Sequence, residues 1–198
     1  MDSGFKFLFS SIAILLTFIA FIPYIRSILT GTTKPHVFSW LIWGTTTIIV
    51  FFAQLQAKAG IGAWPMGISG VITLFIALLA FLKRADVSIS NIDYLFLILA
   101  LASLPFWYLT SNPLWAVVLL TLVELLGFGP TIRKAYYLPH EENRLFFLLF
   151  MLRNIFTLLA LEHYSLTTVL FPVSVNISCL FLIIMISYRR KLYSIKTD

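Results

Sequence analysis

Charge and cysteine are what this chain has least of. Among 198 residues only 11% are Asp, Glu, Lys or Arg and one is cysteine, against 60% hydrophobic and 16% aromatic residues. A soluble domain of this size could not cover so much apolar surface with so few polar groups. The lone Cys179 excludes an intrachain disulfide, and no CxxC or Cys/His cluster offers a metal site. No nucleophile is spaced from a base and no phosphate-binding loop occurs, so the chain does not read as an enzyme and no cofactor is expected. Acidic residues are scarcer than basic ones, 8 against 14. The net charge of +6 still does not describe a nucleic-acid surface, because the basic residues stand in short connections beside apolar runs. No small-residue cleavage site follows the first apolar run, which is therefore read as a span rather than a signal peptide.

What the chain does have is long apolar runs. About 20 apolar residues cross the hydrocarbon core as a helix, and only helices and closed barrels satisfy their backbone groups there. Seven runs fit, near 5–27, 37–57, 62–82, 92–110, 114–134, 144–161 and 166–188. Seven spans put the termini on opposite sides of the lipid bilayer. Eleven basic residues, from Arg26 and Lys34 to Arg190, Lys191 and Lys196, fall on one side; Lys6 and Lys58 fall on the other, and Arg153 lies inside a span. That asymmetry predicts an outside N-terminus and a cytoplasmic C-terminus.

An internal repeat organises these runs. Ala20–Arg26 reads AFIPYIR and Gly127–Arg133 reads GFGPTIR, so Phe21, Pro23, Ile25 and Arg26 recur as Phe128, Pro130, Ile132 and Arg133, each 107 residues later. The same offset carries Trp64-Pro65 onto Phe171-Pro172. The expected fold is an all-α integral membrane protein of seven transmembrane helices, with two parallel three-helix bundles joined by a linker helix. Residues 1–84 form the first repeat, 85–112 the linker, and 113–198 the second repeat with a basic cytoplasmic tail. The linker helix lets both repeats enter the membrane from the same side.

Pro23-Tyr24-Ile25-Arg26, Gly31-Thr32-Thr33-Lys34 and Phe38-Ser39-Trp40-Leu41-Ile42-Trp43 together resemble the PQ-loop motif of the SWEET and PQ-loop clan of small-solute transporters. The Gln that names the motif is Tyr24 in the first copy and Thr131 in the second. The prolines that sugar-carrying members keep in the second helix of each bundle are missing here. The resemblance implies a 3+1+3 helical architecture with an outside N-terminus. It also implies a central path lined by the third helix of each bundle, where an Asn binds the solute. That role falls on Asn176 and, more weakly, on its repeat partner Ser69. Clan members often associate, which makes a homo-oligomer compatible with the chain.

Ionisable groups at mid-membrane are the most informative positions, because an unpaired charge there costs a few kcal/mol or more. Glu124 in the fifth span and Arg153 in the sixth, with Asn154 beside it, are expected to meet. Two readings stay open: a structural ion pair, or a site in which Arg153 holds the solute while Glu124 takes up a proton. Gln54, Ser69 and Asn176 serve equally as solute contacts or as interhelical glue. Pro23, Pro65, Pro130 and Pro172, with Gly127 and Gly129, are candidate hinges or gates. Trp40, Trp64, Trp107 and Trp115 read as interface anchors, whereas Trp43, one turn deeper, could stack on a ring of the solute. His36 and His140 follow prolines in corresponding loops, with Glu141 and Glu142 beside the second.

The function these features predict is a transporter of a small polar solute (a sugar, amino acid, vitamin or organic anion) by alternating access between two bundles. The alternative is a receptor or binding protein of the same fold that does not transport. Compactness points to a bacterial inner membrane, and the partners expected are lipid, the solute and a coupled proton, with no nucleic acid.

Overall fold

Every element among the described residues is helical, as the apolar runs dictate. The computed structural model describes residues 3–31, 37–83, 91–137, 139 and 144–197, leaving out the side chains of 92–93, 129–131, 133–134 and 193–197. The helices are α1 (Ser3–Leu29), α2 (Val37–Gln56), α3 (Trp64–Leu82), α4 (Asn91–Thr110), α5 (Pro113–Tyr137), α6 (Arg144–Ala160) and α7 (Leu166–Thr197), with a 3-10 turn at Gly60–Ala63 ahead of α3. Among the described residues, α1, α2, α3 with its 3-10 turn, and the Leu166–Leu192 part of α7 are long and apolar enough to cross a membrane. Tyr94–Thr110 and Pro113–Phe128 are shorter apolar stretches, and α6 is a 17-residue helix.

Local chemistry sets several boundaries. At the start of α5, the Asn112 side-chain oxygen accepts from the Leu114 N–H at 3.0 Å, and Pro113 takes the first helical position, where a missing N–H costs nothing. Pro65 stands likewise in the first turn of α3. Helix α7 runs nine residues beyond the expected end at 188, because its basic tail contains neither Pro nor Gly to stop it. Pro23 and Pro172 lie inside α1 and α7, and α5 continues through Gly127, Gly129 and Pro130.

Packing follows a repeated order. Helix α3 packs on both α1 and α2, and α7 packs on both α5 and α6. The first three and last three helices meet mainly where α1 packs on α6, an extensive interface, with smaller ones of α2 on α5 and of α2 on α7. Helix α4 lies on α5 and α2. The outward faces carry Phe7, Leu15, Val71, Phe81, Ile177 and Ile184 exposed, a surface suited to lipid rather than water. The main core runs through α2, α5 and α7 and includes Val50, Leu120, Val175 and Leu182.

Candidate functional site

Polar side chains are few inside this protein, and most satisfy themselves locally. Thr17 donates to the Ala13 carbonyl at 2.8 Å, Thr46 and Thr47 to that of Trp43 at 2.9 and 2.8 Å, and Thr73 to that of Ser69 at 2.8 Å. A hydroxyl bonded back one turn leaves no buried donor open.

Five residues behave differently. Gln54 Oε1, Glu124 Oε2, Arg153 Nε, Asn154 Nδ2 and Asn176 Oδ1 are buried side-chain atoms with no hydrogen-bond partner among the described residues. Each unsatisfied buried polar atom costs on the order of 1–3 kcal/mol, so five together rival the roughly 5–15 kcal/mol that stabilises a whole domain. Polar groups held at that cost are a candidate binding site. All five were singled out from the sequence.

Arg153 is 2% exposed, seven residues before the end of α6 and so about 10 Å in along its axis. Its Nη1 donates to Asn154 Oδ1 at 2.8 Å. Nη2 donates to the Pro65 carbonyl at 2.8 Å and contacts the Met66 sulfur at 3.2 Å. The guanidinium carbon lies 5.2 Å from the centroid of the Phe150 ring. The expected pairing with Glu124 does not occur: among the described residues Arg153 has only these neutral partners. The reason is the packing order, since α7 stands between α5 and α6 and places Cys179 within electrostatic reach of both charged groups. Arg153 instead joins α6 to the first turn of α3.

Asn176 and Glu124 are half-buried, ten and eleven residues into α7 and α5, at similar depths of about 15 and 16 Å. Gln54 is fully buried and donates from Nε2 to the Thr168 carbonyl at 2.8 Å, which fixes its amide and leaves Oε1 as an acceptor. Ser69 is buried, at 3% exposure, one turn beyond Pro65.

Two assemblies bound this region along the helix axes. At one end, Glu162 beyond α6 accepts from the Ile61 N–H at 3.2 Å, and its own N–H donates to the Ala59 carbonyl at 3.0 Å. Lys6 Nζ donates to the Glu162 carbonyl at 3.3 Å and Ser10 Oγ to that of Ile61 at 3.0 Å. Gly60, with φ +62°, leaves the room that the Glu162 carboxylate fills, and a Cβ on Gly62 would stand 2.6 Å from the Leu161 backbone. At the other end is an aromatic cluster of α1, α2 and α6. Tyr24 stacks on Trp40 at 4.9 Å and Phe146 on Phe150 at 5.3 Å; Phe21 meets Trp40, Phe146 and Phe150 edge-on at 5.8–6.4 Å.

This cluster corrects the reading of Trp40 as a lipid anchor: its ring is packed between helices. Trp64 and Trp115, 53% and 54% exposed, keep the anchor position, while Trp107 packs on the main core. Trp43 meets Trp40 edge-on at 5.7 Å and sits over Gly127, where a Cβ would stand 3.1 Å from its indole nitrogen. Gly127 thus acts as a seat for Trp43. Pro130 is described only by its place in α5, while His36, His140, Glu141 and Glu142 lie outside the described residues.

Sequence reasoning missed Glu162, Gly60, Gly62 and the aromatic residues Phe21, Phe146 and Phe150. Two glycines followed by a proline before an apolar run were a usable signal for the first group. Comparison with protein-family models, with curated proteins and with solved structures returns no match.

Proposed function

We propose that this chain is a membrane transporter that moves a small polar solute by alternating access between two three-helix bundles, α1–α3 and α5–α7, linked by α4. The observation that carries the reading is the set of five buried, unpartnered polar atoms, drawn from α2, α5, α6 and α7. Because both halves contribute such atoms, a polar solute moving between the halves meets hydrogen-bonding groups from each. The matching packing order within each half, α3 between α1 and α2 and α7 between α5 and α6, supports the repeat and with it the 3+1+3 architecture of the SWEET and PQ-loop clan. On the topology set by the basic residues, the Glu162 junction is the outer seal and the aromatic cluster the cytoplasmic one. Opening either while the other holds is what transport requires. Glu124 and Asn176 complete the solute path, and Glu124 is the group placed to exchange a proton.

Reconstitution into liposomes with a panel of labelled sugars, amino acids, vitamins and organic anions tests this. Saturable uptake of one class is expected, reduced about tenfold or more by Asn176→Ala, the equivalent of roughly 1.4 kcal/mol of lost binding. Ligand binding without uptake would replace the transporter by the receptor.

A further inference from the structure

Among the described residues the charge on Arg153 has no counterpart. Its four neighbours, the Asn154 amide oxygen, the Pro65 carbonyl, the Met66 sulfur and the Phe150 ring, offer partial charges only. Dipoles orient a guanidinium, but they do not neutralise it, and a lone cation in a low-dielectric interior is expensive to keep. Among the described residues no carboxylate pairs with it; Glu124 belongs to α5, which packs on α7 rather than on α6.

The open valences say what would. Because Asn154 Oδ1 takes the Arg153 bond, its Nδ2 must point elsewhere, and it is a donor without an acceptor. Arg153 Nε–H is a second such donor, on the residue hydrogen-bonded to the first. The residues holding them are 2% and 0% exposed. Two N–H donors and one unbalanced positive charge call for two acceptor oxygens and one negative charge.

We propose that the solute is a small monocarboxylate anion, its two oxygens bound by Arg153 Nε–H and Asn154 Nδ2–H on α6. The proposal rests on the transport reading and narrows it. A sugar would leave the guanidinium uncompensated, and an amine would add a second positive charge beside it. A dianion would leave one of its two charges without a counterpart. The Phe150 ring, already against the guanidinium, supplies an apolar wall for the rest of the molecule.

The test compares isosteres on the purified full chain. Acetate, lactate and benzoate are set against acetamide, lactamide and benzamide at matched ionic strength, with the thermal midpoint read as a function of concentration. At least one carboxylate should raise the midpoint while its amide does not, and Arg153→Gln should remove that shift. Should Arg153→Gln fail to fold, the carboxylate-against-amide difference on the parent still decides. A second reading needs no variant either: labelled carboxylate should bind the full chain saturably, and excess unlabelled carboxylate, but not its amide, should compete it off. Equal shifts from acid and amide would overturn the proposal, as would no shift from any carboxylate. Saturable liposome uptake of a sugar or amine would reject the anion while leaving transport standing. No uptake of any solute would count against both.

Discussion

The two halves of the chain are built alike and equipped differently. At the repeat offset of 107 residues, Thr17 corresponds to Glu124, Thr46 to Arg153, Thr47 to Asn154 and Ser69 to Asn176. In the first half the three threonines bond back to their own helix and present nothing. In the second half the matching residues are longer, and each keeps a buried atom unpartnered. At these matched positions the first half is therefore closed on itself and the second half carries the open polar atoms, while the first half's own open atom, Gln54 Oε1, lies elsewhere on α2. Similar packing order, then, does not imply similar duty.

The largest effect that could break this comparison is exchange of its charged member. Arg153→Met should reduce liposome uptake by about 100-fold or more while leaving the thermal midpoint unchanged or higher. Met removes the several kcal/mol that an unpaired buried charge costs, against about 1–3 kcal/mol for each acceptor, Asn154 Oδ1 and the Pro65 carbonyl, that it leaves without a donor. The reciprocal Thr46→Arg places a charge at a fully buried position and should empty the membrane fraction of folded protein. Equal behaviour of the two variants would refute the division of labour.

Next in size is Gly62→Ala at the Glu162 junction. Its Cβ meets Leu161 backbone, which cannot turn aside, so a loss of about 3 kcal/mol is expected from chemical denaturation in mild detergent. Gly127→Ala meets only the Trp43 indole at 3.1 Å and should cost about 1 kcal/mol. Asn176→Ala against Ser69→Ala sharpens the comparison on function: the first should lower uptake about tenfold and the second less than about twofold. Smallest of all, Glu162→Gln keeps an acceptor for the Ile61 N–H and loses only its charge at an exposed site. A stability change of about 0.5 kcal/mol or less is expected from the same denaturation assay.

Hydropathy made the helices legible, because the cost of an unsatisfied backbone in lipid leaves few other structures for such runs. The runs expected from 62 and 114 begin within two residues of α3 at Trp64 and α5 at Pro113. The polar members of the site were legible for the same energetic reason: in so apolar a chain, each buried Gln, Glu, Arg or Asn needs an explanation. Partners were not. Arg153 and Pro65 are 88 residues apart and Glu162 and Ile61 are 101 apart, and hydropathy carries no information about which helix faces which. Depth alone suggested that Glu124 and Arg153 would meet; α7, packed between their helices, decides otherwise. Trp40 misled because a tryptophan near a helix end has the same sequence signature whether it faces lipid or another helix.

The seat of Trp43 on Gly127 has a practical consequence. It lies where α2 meets α5, one of the interfaces that cross between the halves, and its indole nitrogen is held against a residue with no side chain. Tryptophan emission shifts to longer wavelength when water reaches the ring. With the other four tryptophans replaced by phenylalanine, the colour of a single native residue would read the separation of the two halves, with no label attached.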